Sequence, residues 1–370
     1  MRRVGFIINP IAGMGGTVGL KGTDGEEILE KAIKLGAEKV ALKRAEEFLK
    51  SLGSLVNTIE FWTCPGEMGE DIFNKLNINY KLIPGKKGKT TAEDTKFAAK
   101  YMLESNLDII VFCGGDGTAR DILDAIDMKI PVIGIPAGVK MQSGVFTINP
   151  RVAADLLIKY LWGEIPLKEA EVADVDEEAY RAGILSAKLY GYLLTPYEPD
   201  YIQGMKAPTP IRDDINENME AIAKWIIENM EDNTIYILGP GTTVKKILEL
   251  LGLDGTLLGV DLLLNKKILK KDVNEKEILE FIKDNRAKII ISPIGRQGFI
   301  FGRGNQQISP KVIRTIGKEN IIIISTKEKL NDIKFLRIDT GDIEVDKMFS
   351  NGVKILVDYG LFRVMKVKVF

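Results

Sequence analysis

The residues best suited to chemistry are Gly114-Gly115-Asp116-Gly117-Thr118, which directly follow the unbroken apolar run Ile109–Cys113. Such a run is a buried strand, and in open α/β folds ligands bind where strands end in glycines at the carboxyl edge of the sheet. Glycines let the backbone approach a bulky anion and free N–H groups at the start of the next helix for phosphate. An aspartate in an anion-binding loop repels the anion, so Asp116 has a separate task. It accepts a proton from an attacking hydroxyl or helps place a metal ion beside the phosphates. Thr118 caps the helix or donates to a phosphate oxygen. The bland alternative is a tight strand-to-helix turn capped by Asp116 or Thr118.

Further segments follow other strands. Asn9-Pro10-Ile11-Ala12-Gly13-Met14-Gly15-Gly16 comes after Val4–Ile8, but Gly13-x-Gly15 lacks the third glycine of a dinucleotide fingerprint, so a dehydrogenase is not favoured. After Pro131–Ile135, Lys140 is a candidate phosphate ligand, and Gln142 and Ser143 are candidate contacts to a ribose or base. Gly239-Pro240-Gly241-Thr242-Thr243 joins a strand to a helix and offers N–H groups and two hydroxyls at Gly241, Thr242 and Thr243. Arg296, Gln297, Asn305 and Gln306 lie in a polar, glycine-rich stretch with Arg303 and Gln307 and are candidate acceptor contacts, since the planar fork of arginine suits phosphate. Gly85-Lys86-Lys87-Gly88-Lys89-Thr90 has Ile83 where a P-loop requires its first glycine, and it reads as a basic surface loop. Asp174, Asp176, Glu177 and Glu178 form an acidic cluster that a solvated helix start explains as well as a ligand does.

Composition narrows the chemistry. There are no histidines among the 370 residues, which removes every mechanism that needs imidazole and leaves general-base work to Asp, Glu, Lys or Tyr. Cys64 and Cys113 are the two cysteines, too few for a disulfide framework and without zinc-ligand spacing. A net charge of -1, from 51 basic and 52 acidic side chains, gives no basic arm for nucleic acid or a membrane surface. No apolar run approaches the ~18 residues of a membrane span, and Asn9-Pro10 cuts short the apolar stretch near the N-terminus. A cytoplasmic protein is expected.

The elements that must position these residues alternate between short apolar strands and helical stretches, which implies crossover units on a parallel sheet. Strands are expected at Val4–Ile8, Thr58–Trp62, Tyr80–Ile83, Asp108–Cys113 and Pro131–Ile135. Helices are expected over Glu26–Leu52, with a break at Gly36, over Glu67–Leu76, and over Ala92–Glu104 behind a Thr91/Asp94 capping box. The fold class is therefore α/β, with a Rossmann-like parallel sheet over 1–149 and a second, mixed and β-rich α/β domain over 150–370. The second half reads as strands at Leu167–Val172 and Lys188–Thr195, a Pro-rich loop over 195–210, and further strand–helix units. Two closing strands flank Gly360, and the chain end is a candidate to return to the first domain.

The Gly114–Thr118 segment resembles the signature shared by NAD kinases, diacylglycerol and sphingosine kinases, and phosphofructokinases, and the Asn9–Gly13 loop is similar to the Asn-Pro-x-x-Gly loop of these kinases. Gly134–Met141, Thr90–Thr95, Gly239–Thr243 and the stretch from Gly295 through Ser309 resemble the ATP-NAD kinase-like branch. The resemblance implies that Asn9, Pro10, Gly13, Gly114, Gly115, Gly117 and Thr118 face the nucleotide phosphates and that Asp116 acts on the acceptor hydroxyl. It implies ATP (or polyphosphate) as donor, Mg2+ as cofactor, NAD or a related small molecule as acceptor, and a homo-oligomer. The Gly239–Thr243 loop departs from the usual Pro-Thr-Gly-Ser-Thr-Ala, so a kinase of another small hydroxyl compound stays open, as does a nucleotide-binding accessory protein without turnover.

Overall fold

A computed structural model describes residues 2–20, 26–139, 141–175, 187–203 and 213–370. The N-terminal strands are β1 (Arg2–Ile8), β2 (Ile59–Thr63), β3 (Tyr80–Leu82), β4 (Ile109–Gly114) and β5 (Val132–Pro136). They form one five-stranded sheet in the order β3-β2-β1-β4-β5, and every pairing is parallel. Alternation along each strand divides the side chains between two cores. Val4, Phe6 and Ile8 join Phe48, Phe61, Ile109 and Val111 on one face, beneath the helices Val40–Ser51 and Pro150–Leu161. Ile7, Ile110 and Phe112 face the helices Ala92–Glu104 and Asp116–Ile126 on the other. A sheet buried on both faces explains why these strands read as continuous apolar runs.

The expected long helix over 26–52 is two helices, Glu26–Lys34 and Val40–Ser51, and Gly36 between them has φ +81°. The capping box is present, with the Thr91 N–H donating to Asp94 at 2.7 Å. The helix Pro150–Leu161 and the antiparallel hairpin β6 (Leu167–Val175) and β7 (Ala187–Pro196) pack against the first sheet and its helices. By packing they go with that sheet, although the expected division at Asn149–Pro150 assigns them to the second domain.

The second sheet comprises β8 (Thr234–Leu238), β9 (Asp261–Leu264), β10 (Lys267–Lys270), β11 (Arg286–Ile291), β13 (Ile321–Ile324), β15 (Val353–Asp358) and β16 (Leu361–Met365). Its order is β10-β9-β8-β11-β13-β15-β16, with a parallel centre from β8 to β15 and antiparallel edges. The mixed α/β character expected of this domain is therefore present, organised around parallel crossovers. A small parallel sheet, β12 (Phe299–Phe301), β14 (Leu336–Ile338) and β17 (Val367–Lys368), lies beside it. The last residue, Phe370, packs edge-on against Tyr201, and its backbone carbonyl is 3.5 Å from the Asn149 side-chain nitrogen.

Candidate functional site

Three loops meet at the carboxyl edge of the first sheet, after β1, β4 and β5. The Asn9 N–H continues the ladder to Cys113 O at 2.9 Å, and the Asn9 side-chain amide donates to Thr118 Oγ1 at 3.0 Å. Pro10 is buried, and Asn9 Oδ1 accepts the Ile11 N–H at 3.3 Å, so the turn out of β1 is fixed from within. Gly13 sits at φ +80°, and a Cβ there would lie 1.9 Å from Ala137 O. Only glycine lets these two loops touch. Gly114 is constrained in the same way, since a Cβ would fall 2.5 Å from the Thr118 hydroxyl. A Cβ on Gly115 would lie 3.2 Å from Gly138 Cα, whereas one on Gly117 meets nothing within 4 Å. Space above the helix start is thus open at Gly117.

Asp116 is the first residue of the helix Asp116–Ile126, yet its side chain does not cap that helix. The carboxylate is 5% exposed and turns to the segment after β5, accepting the Gln142 N–H at 2.6 Å and the Ser143 N–H at 2.9 Å. The Ser143 hydroxyl is anchored on β6, donating to Ala173 O at 2.8 Å and accepting the Ala173 N–H at 3.1 Å. Burial pushes the Asp116 carboxyl up to about 7 against the pull of these donors, and the nearby Asp174 carboxylate adds to the rise. Asp174 lies 3.4 Å from Arg120, whose guanidinium lies over the Tyr190 ring. A carboxyl poised near neutrality at a glycine-rich helix start can accept a proton from a hydroxyl.

The second domain grips the same segment. The Gly304 N–H and the Gln306 side-chain amide each donate to Val139 O at 3.0 Å, and Gln297 Nε2 donates to Met141 O at 3.1 Å. Asn305 is turned inward, accepting the Gly302 N–H and donating to Ile300 O. Gln297, Asn305 and Gln306 are thus engaged with backbone groups, while Arg296 is exposed at φ +62°. Arg303 and Arg44 share the buried Asp339 carboxylate at 2.8 and 2.6 Å, and Arg303 also donates to Ile148 O at 2.9 Å. Burial would raise the Asp339 carboxyl, but the two guanidiniums outweigh it and hold it below the usual range. A cavity of about 110 Å³ lies here, lined by Gly13, Thr17, Arg44, Arg303, Gln306 and Asp339 among others. Arg303 Nε and Gln306 Oε1 are buried without a hydrogen-bond partner among the described residues.

At the carboxyl edge of the second sheet, the Gly241 N–H is taken by Leu257 O at 2.9 Å, and the helix Thr242–Leu250 begins. Thr242 is exposed and Thr243 buried. Lys329 Nζ donates to Thr243 Oγ1 at 3.2 Å and to Ser292 Oγ at 3.0 Å, so the loops after β8, β11 and β13 converge. Lys140, Asp176, Glu177 and Glu178 lie outside the described residues, as does the stretch 204–210 of the Pro-rich loop. Sequence reasoning missed Arg44, Gln203, Lys329 and Asp339. Local spacing carries no mark of them, because each reaches its partner across the fold.

The family model for the ATP-NAD kinase N-terminal domain matches residues 4–165, and that for the ATP-NAD kinase C-terminal domain matches residues 231–367. No curated protein matches the chain. Two solved structures described as diacylglycerol kinases of Bacillus anthracis str. Sterne are similar at 16% identity and TM-score 0.23. Each match covers 47% of this chain, and 43% and 46% of the respective neighbours, so the chain spans under half of their length. Among the described residues no helix is long and apolar enough to cross a membrane.

Proposed function

The chain belongs to the ATP-NAD kinase family, and from that premise we propose that it transfers the terminal phosphoryl group of ATP to the ribose 2′-hydroxyl of NAD. One observation carries this reading: Asp116, at the open helix start after Gly114-Gly115, is a buried carboxylate held by the Gln142 and Ser143 N–H groups, and burial pushes it up to about 7. In the proposed reaction the 2′-oxygen forms a bond to the γ-phosphorus as the bond to the bridging oxygen of ADP breaks. The hydroxyl proton passes to the Asp116 carboxylate. Phosphoryl transfer asks the protein mainly for positioning and charge neutralisation.

The cavity beside Gly13 supports a place for donor phosphate, because Arg44 and Arg303 line it and Arg303 Nε is a donor without a partner among the described residues. At about 110 Å³ it is far smaller than the roughly 300–1,000 Å³ of a whole-ligand pocket.

Among the described residues no three potential metal-ligating side chains cluster. A magnesium ion would therefore arrive with the nucleotide, held by phosphate oxygens and water. When bound, such an ion neutralises charge on the transferring phosphoryl group.

The departure of Gly239–Thr243 from the usual dinucleotide loop, with the Gly241 N–H already taken by Leu257 O, favours a second reading in which the acceptor is another small hydroxyl compound. Phosphorus NMR of a mixture of protein, ATP, magnesium and NAD separates the two. A new 2′-phosphomonoester resonance is expected. ATP binding without that resonance would keep the kinase and discard NAD as acceptor.

A further inference from the structure

Gln142 N, which donates to Asp116 at 2.6 Å, and Met141 O, which accepts from Gln297 Nε2 at 3.1 Å, belong to one peptide unit. The chain of contacts runs from the second domain, through a single amide, into the carboxylate of the first. Gln297 is 1% exposed, so this contact is made away from bulk solvent. A donor on the carbonyl oxygen of an amide draws electron density away from nitrogen and makes the N–H a stronger donor, and low local dielectric amplifies this polarisation.

We propose that Gln297 is a positioning residue for Asp116, acting across the domain boundary through the Met141–Gln142 peptide. Its amide fixes the plane of that peptide and with it the direction of the N–H that Asp116 accepts. Gln203 pins the same segment two residues further on, donating from Nε2 to Ser143 O at 3.0 Å. That carbonyl belongs to the next peptide but one, whose N–H at Gly144 goes to Glu171 O at 2.7 Å, so Gln203 holds the segment without addressing Asp116. Gln297 alone of the two lies on the direct line. Without the Gln297 contact this line is broken, and the carboxylate loses support from its closest donor. Docking of the second domain thereby sets the basicity of the group that takes the proton.

Among the described residues the charged group that acts on Asp116 is Asp174 on β6, which pairs with Arg120, whose guanidinium lies over the Tyr190 ring of β7. Both belong to elements packed on the first sheet, whereas Gln297 reaches the carboxylate from the second domain. A change at Gln297 therefore reports on the peptide relay.

This inference rests on Asp116 as the base, but its test needs no turnover. Full-length protein carrying carboxyl-labelled aspartate is titrated by carbon NMR, with Asp116→Asn used to assign the Asp116 resonance. In Gln297→Met, which keeps the volume and removes the donor, the Asp116 titration is expected to move upward by about half a pH unit. Gln297→Asn, whose amide is one methylene too short, is expected to move it the same way and serves if the first variant does not fold. An Asp116 titration within about 0.1 unit of wild type in a folded variant overturns the proposal. A shifted titration in a protein without kinase activity would keep the relay and discard the kinase reading.

Discussion

Asn9 and Thr118, 109 positions apart, are joined by a 3.0 Å hydrogen bond from the Asn9 amide to the Thr118 hydroxyl, which ties the two glycine loops of the first domain into one surface. The hydroxyl acts as acceptor toward Asn9. Asn9→Ala is expected to cost about 1 kcal/mol of stability, the usual net value of such a bond. It should lower kcat more than this loss of stability accounts for. Denaturant unfolding and steady-state kinetics on the same sample check both.

Gly117 offers a sharper separation of fold from function. A methyl group there meets no atom within 4 Å, and the residue is helical, so Gly117→Ala should stabilise the protein by about 0.5–1 kcal/mol. The same methyl group would crowd a phosphate lying on the helix start. A higher melting temperature with turnover reduced at least about tenfold is expected. Unchanged turnover would remove this helix start from the donor site.

Two buried aspartates should respond to pH in opposite directions. Asp339 is held below the ordinary aspartate value, so the stability it contributes is present above that value and is lost as acid carries the pH down through its folded pKa. Asp116 is raised to about 7, so it subtracts from stability as pH climbs from the ordinary value of 3.8 through about 7. The stability of Asp116→Asn relative to wild type should therefore grow between those limits. That of Asp339→Asn should deteriorate relative to wild type as pH rises from strongly acid values. Melting curves from pH 3 to pH 8 read both, about one point per unit being enough.

Removing the Asp339 carboxylate outright leaves Arg44 and Arg303 buried together without their shared partner. Asp339→Ala should cost about 3–5 kcal/mol, the range for breaking a buried pair from one side. Urea unfolding checks the magnitude. A cost below about 1 kcal/mol would mean that the pair is solvated.

Much of this arrangement is legible in the residues. The parallel strand–helix alternation, the break near Gly36, the Thr91/Asp94 box and the loop after β4 all follow from local periodicity and capping chemistry. The short strands Asp261–Leu264, Lys267–Lys270, Phe299–Phe301 and Leu336–Ile338 escape such reasoning, since three or four residues carry no period. The parallel centre of the second sheet is equally hard to read. Its strands lack in–out alternation, with Ile235 to Leu238 and Ile289 to Ile291 buried without a break, a pattern that composition alone reads only as β-rich. Gln297 and Gln306 are polar residues in a glycine-rich stretch, a fair sign of ligand contact, but their amides meet main-chain carbonyls of the other domain. Pairings across 156 and 167 positions leave no local trace.

The most direct test of the central claim is the rate of NADP formation from ATP, magnesium and NAD, read through an NADP-specific dehydrogenase, in wild type and Asp116→Asn. Steady formation by wild type is expected, with an acidic limb near pH 7, and a loss of about 100- to 10,000-fold in the variant. Equal rates in the two proteins, or no NADP from wild type, would contradict the account.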